Sequence, residues 1–335
     1  MKLGRMLAIA FLLVGIGCHL FKAPQGRFTV VVLGAHGGLT DGDLSAYLVA
    51  RKGTTEYLCL DAGTVLKGIT EAARRGSFKD VKVPKESGLT LEGHILQDRI
   101  KAYALSHAHL DHMQGLVIDS TDDTSKQLLG LDTTIDHMRD NMFNWILWPN
   151  FGNEGERPLN KYVYERMQSD VEYPLPVSGM NVTAFKLRHS GHPCTAFLVR
   201  HQEGAVLYLG DTGPDAVEGG DNLEHVWQAV APLVRQGKLR GLFLECSFPN
   251  GRKDNELFGH LTPAWMHAEL ARFARAVDPH NPTRALRGLP VVVTHVKPSL
   301  KAGDNVDRTI EQELKKGNQL GVRFIMPRQG DRFDL

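Results

Sequence analysis

Four potential metal ligands lie within six residues, in the run HAHLDH that begins at His107. The apolar stretch 102–105 predicts a strand that ends just before this run. His107 and His109 then leave the strand end two residues apart and can chelate one ion, while Asp111 and His112 face a second. Neutral imidazole together with carboxylate oxygen suits zinc, iron or manganese. We therefore predict a centre for two divalent cations, with zinc as first choice and manganese or iron as alternatives.

Three more candidate ligands each follow an apolar, strand-like stretch. His189 follows 183–188, Asp211 follows 206–210 and His295 follows 291–294. Any one of them could be a core or loop residue with no metal role. Because rigid strand ends hold ligands well, the threefold recurrence favours a site that these residues complete.

The elements that would position these ligands are short strands, rich in β-branched residues and bounded by Gly or Asp. Two helices are predicted from apolar recurrence at three and four residues, and the second has Thr262-Pro263 as N-cap and first turn. Strand runs followed by helix, twice over, predict an α/β fold of αββα type, in which two mixed sheets pack together between helices. The predicted helices are 65–75 and 263–277, and the predicted strands are 28–33, 45–49, 57–60, 102–105, 182–187, 195–200, 205–209, 241–244, 291–294 and 322–326.

The segment of about 119–176 differs from the rest in composition. An acidic patch is followed by a predicted helix over 132–147 and by a loop rich in Pro, Gly and Asn at 148–152. We expect a helical and loop insertion over the site. Trp145, Trp148 and Phe151 either pack this insertion onto the domain or line a substrate pocket.

Length and composition predict one globular domain, over residues 27–335. The chain has 335 residues, 42% hydrophobic and 23% charged, and a formal net charge of +1. A near-neutral chain has no global attraction for polyanions, so nucleic acid is not the expected partner.

Residues 1–18 are typical of an export segment. Lys2 and Arg5 precede the apolar run 6–14, which is shorter than a membrane span, and small residues precede Cys18. The expected location is therefore periplasmic, as a lipoprotein anchored through Cys18 or as a cleaved soluble form, with a retained anchor as a third option. No Cys-x-x-Cys pair occurs, and the remaining cysteines, Cys59, Cys194 and Cys246, would allow one disulfide that the sequence does not assign.

The run at 107–112 resembles the His-x-His-x-Asp-His motif of the metallo-β-lactamase superfamily, and Asp61-Ala62-Gly63 resembles its Asp-x-Gly turn. The resemblance spans about residues 28–330. It implies that one metal is held by His107, His109 and His189, that the other is held by Asp111, His112 and His295, and that Asp211 bridges both. His192 is then left as a substrate contact or as a support of the ligands.

Glu245 and the sequence His260-Leu261-Thr262 resemble elements of the phosphodiesterase branch of this superfamily. Within that branch, the run 107–120 is similar to the signature of the class II cyclic-nucleotide phosphodiesterases and departs only at Thr121. Further similar blocks occur in the same order at 37–38, 43–48, 148–150, 210–215, 245–247, 259–263 and 294–298.

The resemblance implies hydrolysis of 3′,5′-cyclic AMP, with cyclic GMP as a further substrate, to the 5′-nucleotide. A metal-bridged hydroxide would attack phosphorus while His260 protonates the leaving 3′ oxygen, since a positioned acid supplies about 10²–10⁴-fold. The expected catalytic residues are His260, Glu245, Asp111 and Asp211. Lys297 would stabilise developing charge, and Thr262 and His192 would contact the substrate.

Two other hydrolases remain alternatives, an RNA 3′-processing endonuclease and a lactonase. An alternative of another class is a binding module that keeps the fold but has lost its metals. The expected partners are a cyclic nucleotide, a second copy of the chain in a homodimer, and a membrane only through Cys18.

Overall fold

The central strands of this protein are buried along almost their whole length, as strands covered on both faces must be. The computed structural model describes residues 27–335, so the predicted export segment and Cys18 lie outside the described residues. Fourteen strands in this part of the chain form two seven-stranded sheets.

From edge to edge the strands of the first sheet are β14 (Arg332–Asp334), β1 (Phe28–Gly34), β2 (Ala46–Arg51), β3 (Tyr57–Leu60), β4 (Ile100–Ala104), β5 (Lys126–Leu131) and β6 (Tyr162–Met167). The pairs β14–β1, β1–β2 and β2–β3 are antiparallel, whereas β3–β4, β4–β5 and β5–β6 are parallel.

From edge to edge the strands of the second sheet are β13 (Arg323–Ile325), β12 (Pro290–Thr294), β11 (Leu239–Glu245), β10 (Gly204–Tyr208), β9 (His192–His201), β8 (Met180–His189) and β7 (Glu172–Leu175). Pairing is parallel from β13 to β10 and antiparallel from β10 to β7.

The helices lie between the strands in the chain and cover the sheets. Within residues 27–335 they are α1 (Leu66–Arg74), α2 (Leu91–His94), α3 (Leu110–Asp119), α4 (Asp132–Asn141), α5 (Asp215–Glu218), α6 (Asn222–Arg235), α7 (Pro263–Val277), α8 (Pro282–Ala285) and α9 (Val306–Gly317). Short 3-10 turns at Lys85–Ser87 and Asp254–Glu256 and a π-helical turn at Ile95–Arg99 complete the set.

Three separate groups of buried apolar residues show the order of the layers. One lies between the sheets and includes Val30, Tyr47 and Phe197. A second packs the first sheet against α1, α3 and α4, and a third packs the second sheet against α6, α7 and α9. The order is helix, sheet, sheet, helix, which confirms the predicted αββα sandwich of two mixed sheets.

The ten predicted strands and the helix Pro263–Val277 are present, with ends that differ by up to three residues. The predicted helix over 132–147 is shorter and ends at Asn141. The segment 119–176 is also more regular than we expected, because it contains β5, β6 and β7. These strands escaped the prediction because charged residues interrupt their apolar pattern, as in the sequence YVYERM of β6.

The topology brings several strand ends to one edge of the sandwich. The neighbours β3 and β4 are parallel in the first sheet, as are β10, β11 and β12 in the second. The carboxyl ends of parallel neighbours meet, and open α/β sheets bind ligands there. The residues that follow these ends include Asp61, His107, Asp211 and His295.

Two further expectations concern cysteines and membranes. Cys59, Cys194 and Cys246 are buried and free, so no disulfide joins them. Across residues 27–335, none of the helices combines the length and the apolar character that crossing a bilayer requires.

Candidate metal centre and active site

The loop between β4 and α3 presents the three histidines of the first motif. His109 occupies the N-cap of α3, so that His107 lies in the loop and His112 in the first helical turn. His107 and His112 are buried, whereas His109 is exposed. Only 2.9 Å separates His107 Nε2 from His109 Nδ1, which brings two ring nitrogens together at one point.

The second sheet supplies the other three predicted ligands. His189 is the last residue of β8, Asp211 follows β10, and His295 follows β12 with a left-handed φ of 59°. Such a φ is unusual outside glycine and is a feature of functional sites. It turns the His295 ring toward the first motif, where Nε2 lies 3.2 Å from Asp111 Oδ2.

Asp211 lies at the middle of the assembled group. Its Oδ2 is 3.2 Å from Nε2 of both His112 and His295, 3.8 Å from His189 Nε2 and 3.9 Å from His107 Nε2. The structure therefore brings all seven predicted ligands together around one carboxylate.

Two of the close groups in the structure are the two ligand sets that the resemblance implied. One potential ligand atom from each of His107, His109 and His189 lies within 4.8 Å of the others, and the same holds for Asp111, His112 and His295. The assignment of each group to one ion stays a prediction.

The donor set fits divalent cations. His112 Nε2 and Asp211 Oδ1 are buried and have no hydrogen-bond partner among the described residues. Buried polar atoms are normally satisfied, so atoms of this kind that face a cluster of imidazoles point to an ion. Burial also lowers the pKa of His107 and brings that of His109 to about 4, which keeps both rings neutral, as metal ligands must be.

Most of the ligand rings are anchored to the protein through Nδ1. His107 Nδ1 lies 3.0 Å from Ser106 Oγ, and His189 Nδ1 lies 2.8 Å from the Gly259 carbonyl. His295 Nδ1 lies 3.0 Å from Ser247 Oγ. Such contacts fix the tautomer and the orientation of a ligand ring.

Asp61 is the site residue whose role the sequence analysis missed. Its carboxylate is fully buried and accepts hydrogen bonds from His112 Nδ1 at 2.7 Å, from the amide and hydroxyl of Ser106 at 2.7 Å each, and from the Tyr208 hydroxyl. The signal was the Asp-x-Gly turn directly after β3, which we used only as a motif. Asp61 orients His112 and, through Ser106, holds the start of the loop between β4 and α3.

Glu245 and His260 form a buried pair beside the cluster. His260 Nδ1 is 2.7 Å from Glu245 Oε1, and the His260 ring stacks on His295 with centroids 5.0 Å apart. Burial lowers the pKa of His260 to about 3 and raises that of Glu245 to about 7, since the closed site disfavours a charge on either residue.

The three predicted substrate contacts, His192, Lys297 and Thr262, lie near the cluster in different settings. His192 is exposed at the start of β9, with its ring 6.3 Å from that of His109. Lys297 is partly exposed, and its charge contributes to the low pKa of His260. Thr262 is buried and caps α7 through the Trp265 amide, which explains its position without a substrate. Their substrate contacts stay predictions.

Comparison with known proteins decides the family. The model of the cAMP phosphodiesterases of class II matches residues 28–330. The chain belongs to this family. A curated 3′,5′-cyclic-nucleotide phosphodiesterase of Aliivibrio fischeri is 43% identical to this class II phosphodiesterase over 325 residues, which cover 96% of this chain and 97% of the relative. One of Schizosaccharomyces pombe is 27% identical and covers 91% of this chain and 92% of its own length.

Solved structures agree on the fold. Unliganded yeast PDE1 matches 92% of this class II phosphodiesterase and 99% of its own chain, with a TM-score of 0.79 at 24% identity. The metallo-β-lactamase-fold protein YhfI of Bacillus subtilis matches 92% of it and 100% of its own chain, with a TM-score of 0.57 at 17% identity. The predictions of family, fold and enzyme class are confirmed: the protein is a metallohydrolase that acts on 3′,5′-cyclic nucleotides.

Proposed function

We propose that this class II phosphodiesterase hydrolyses the 3′ ester of 3′,5′-cyclic AMP to give 5′-AMP, with His260 as the acid for the leaving oxygen. The observation that supports this role is the 2.7 Å contact between His260 Nδ1 and Glu245 Oε1 at the edge of the ligand cluster. A ribose 3′ alkoxide is a poor leaving group, so it needs a positioned proton donor.

The proposal includes two divalent ions, with zinc as first choice. His107, His109 and His189 would hold one, Asp111, His112 and His295 the other, and Asp211 both. Divalent ions bound by such ligands activate water and neutralise phosphoryl oxygens, which is the chemistry that phosphodiester hydrolysis requires.

Glu245 is built to hold the His260 ring. Besides His260, its Oε1 accepts a hydrogen bond from the Thr212 amide at 3.2 Å, and its Oε2 accepts from the Ser247 hydroxyl at 2.8 Å and the Leu261 amide at 3.2 Å. These four hydrogen bonds partly offset the burial that raises the pKa of Glu245 to about 7, and the carboxylate form can stabilise a protonated ring through Nδ1.

His260 Nε2 forms no hydrogen bond with any described residue, so it is available to the substrate. A phosphodiester brings negative charge into the site, and nearby negative charge raises the pKa of an imidazole. We infer that the ring is protonated in the substrate complex and transfers this proton from Nε2 to the departing 3′ oxygen. Lys297 adds a positive charge near the phosphate.

The test compares two leaving groups in His260→Ala. Cyclic AMP needs an acid, whereas bis(p-nitrophenyl) phosphate releases p-nitrophenolate, which leaves without one. We expect kcat for cyclic AMP to fall by about 10²–10⁴-fold and kcat for the aryl ester to change much less.

His280→Ala serves as the control, since His280 is exposed on the loop after α7. Full activity of His260→Ala on cyclic AMP, or equal losses on both substrates with the metal content unchanged, would contradict the acid role.

An exported location is the second part of the proposal, supported by Lys2, Arg5, the apolar run 6–14 and Cys18. Fractionation of cells that express the full chain and Cys18→Ser tests it. A lipid anchor is supported if wild-type activity is found in the membrane fraction and the activity of Cys18→Ser is not. A cleaved soluble form is supported if the activity of both proteins is found in the periplasmic fraction. Activity that stays in the cytoplasm would contradict export.

A further inference from the structure

A cavity of about 320 Å³ opens beside the metal cluster, on the side of His107 and His109. The end of α4 forms one wall and the start of β9 another. Most of the residues that line this cavity have no part in the proposed hydrolysis. Besides the two ligands, the cavity is lined by Ala108, His137, Asn141, Met142, His192 and Pro193.

We propose that this cavity binds the nucleobase of the substrate and that Asn141 favours adenine over guanine. The inference rests on the proposed function, because it places the phosphate of a cyclic nucleotide at the metal cluster. The base is linked to that phosphate through a single ribose, so its site must adjoin the cluster. This cavity does, since two predicted metal ligands form part of its wall.

The size and lining of the cavity suit one flat heterocycle. Small-molecule sites commonly measure about 300–1,000 Å³, and this cavity lies at the lower limit. Met142, which is buried, and Pro193 provide apolar surface. The rings of His137 and His192 offer faces on which a base can stack, as bases do on aromatic side chains.

Asn141 supplies the polar group that would read the base. Its side-chain NH₂ donates one hydrogen bond to the His137 carbonyl at 3.2 Å, which also fixes the orientation of the amide. The side chain is exposed at the last residue of α4 and has no other hydrogen bond within the described chain. One N–H and the carbonyl oxygen therefore remain for a ligand.

One donor beside one acceptor complements the edge of adenine, which presents an acceptor ring nitrogen beside its amino group. Guanine presents either two neighbouring acceptors, N7 and O6, or the acceptor O6 beside the donor N1–H, which exchanges donor and acceptor relative to adenine. With the amide orientation fixed by the His137 carbonyl, either edge brings an acceptor of guanine opposite the carbonyl oxygen of Asn141. The cavity should therefore bind the base of cyclic AMP better than that of cyclic GMP.

The experiment measures kcat/KM of Asn141→Ala for cyclic AMP, cyclic GMP and bis(p-nitrophenyl) phosphate, which carries no base. We expect the ratio of the cyclic AMP value to the aryl ester value to fall by about 10- to 100-fold, because a bidentate contact discriminates by about 1–3 kcal/mol. The ratio for cyclic GMP should fall much less. Ratios cancel any difference in folded fraction.

Asn181→Ala is the matched control, since Asn181 lies on β8 and contacts Glu172 at the surface. Calorimetric titration with 5′-AMP provides a readout that needs no turnover, and Kd should rise in Asn141→Ala by the same factor as the ratio falls. An unchanged preference for cyclic AMP together with an unchanged Kd for 5′-AMP would overturn the proposal.

The two proposals fail in different ways. A wild-type protein that cleaves cyclic AMP with a preference that Asn141→Ala preserves would refute the base site alone. A protein that leaves cyclic AMP intact but binds 5′-AMP through Asn141 would refute the proposed function alone.

Discussion

Each anchored histidine of the cluster uses one ring nitrogen to contact the protein and keeps the other for the centre. The anchors differ in kind: a carboxylate for His112, a hydroxyl for His107 and His295, and a backbone carbonyl for His189. Asp61 is the only one of these anchors that carries a charge, and it is fully buried. It should therefore contribute most to the affinity of the site for its metals.

Asp61→Asn tests this contribution. The substitution removes the negative charge that His112, Ser106 and Tyr208 share, while it keeps the size of the side chain. We expect metal affinity to fall by about 10–100-fold, as for other residues that orient ligand histidines. Metal content after dialysis against a graded series of chelator concentrations measures the effect.

Asp41→Asn is the control, because the exposed Asp41 contacts its neighbours only through its backbone carbonyl. Equal metal affinity in the wild type and Asp61→Asn would show that the carboxylate has only a structural role.

The metal ligands could be predicted from sequence because each belongs to a local pattern, either a dense motif or a polar residue after an apolar strand. Their anchors could not. Asp61 and His112 are 51 residues apart, and His189 and Gly259 are 70 residues apart. The Gly259 anchor is also a backbone atom, which leaves no residue-type signal in the chain.

At the scale of elements, the loop before α7 must pass very close to the hairpin that joins β8 to β9. A Cβ atom at Gly259 would lie 2.0 Å from the Ser190 amide nitrogen, and Gly259 has a φ of 78°. Only glycine meets both conditions without displacement. The close approach puts His189 and His260 beside each other, with ring centroids 4.5 Å apart.

Gly259→Ala should therefore abolish most activity on cyclic AMP, because the two loops must separate and carry His189 and His260 apart. Gly251→Ala is a matched control: its φ is 92°, but a Cβ there would contact nothing within 4 Å. It should cost only the backbone strain of a non-glycine residue at positive φ, about 1–2 kcal/mol. Activity per bound metal and urea unfolding of both variants separate the two effects, and similar activities would refute the steric argument.

His36 connects the loop that follows β1 to the start of α9. Its Nδ1 lies 2.7 Å from Asp43 Oδ2, and its Nε2 lies 3.1 Å from Asp307 Oδ1 at the start of α9. These hydrogen bonds, with that to Asp307 first, raise the pKa of His36 to about 10. The loop that continues from His36 reaches the centre, since the Gly38 amide donates to Asp111 at 3.0 Å.

The raised pKa predicts a pH-dependent stability. A histidine with a higher pKa in the folded state stabilises it fully below its unfolded pKa of about 6.5 and loses that effect as pH rises toward 10. We expect His36→Gln to lower the free energy of unfolding by about 1 kcal/mol at pH 6, a modest value because Asp307 is half exposed. Urea unfolding at pH 6, 8 and 10 should show the difference shrink, and a constant difference would refute this account.

Prediction of the elements from sequence succeeded where strands are apolar throughout, as in β1 and β3, which are buried along their whole length. It failed for β5 and β6, at one edge of the first sheet. There Lys126 opens the strand as a buried residue paired with Asp123, and the Tyr162 hydroxyl donates to the same carboxylate at 2.9 Å. A buried charged pair gives no periodic signal, so composition suggested a loop instead.

Across the whole molecule, the centre lies where the two sheets meet. The loop after β4 of the first sheet supplies the candidate ligands between residues 107 and 112. The second sheet supplies His189, Asp211 and His295. Imidazoles and carboxylates from both sheets lie close together there, and His112 Nε2 and Asp211 Oδ1 are buried without a hydrogen bond to any described residue. Bound metal should therefore stabilise the docking of the two sheets as well as the reaction.

Metal removal tests this coupling. An ion that binds only the folded state adds about 2.7 kcal/mol when its free concentration is 100-fold above Kd. We expect exhaustive chelation to lower the Tm by several degrees, and added zinc or manganese to restore it. His295→Ala should respond less to both treatments, and identical melting curves with and without metal would contradict the prediction.

The arrangement of ligands along the chain also bears on when, and from which pool, the protein acquires its ions. The last predicted ligand, His295, lies near the end of the chain of 335 residues. Most of the polypeptide has therefore left the ribosome before this ligand emerges. Until then no complete pair of sites exists. The two predicted sites can therefore both be complete only late in synthesis or after it, and we expect the ions that they take up to reflect the compartment in which folding is completed.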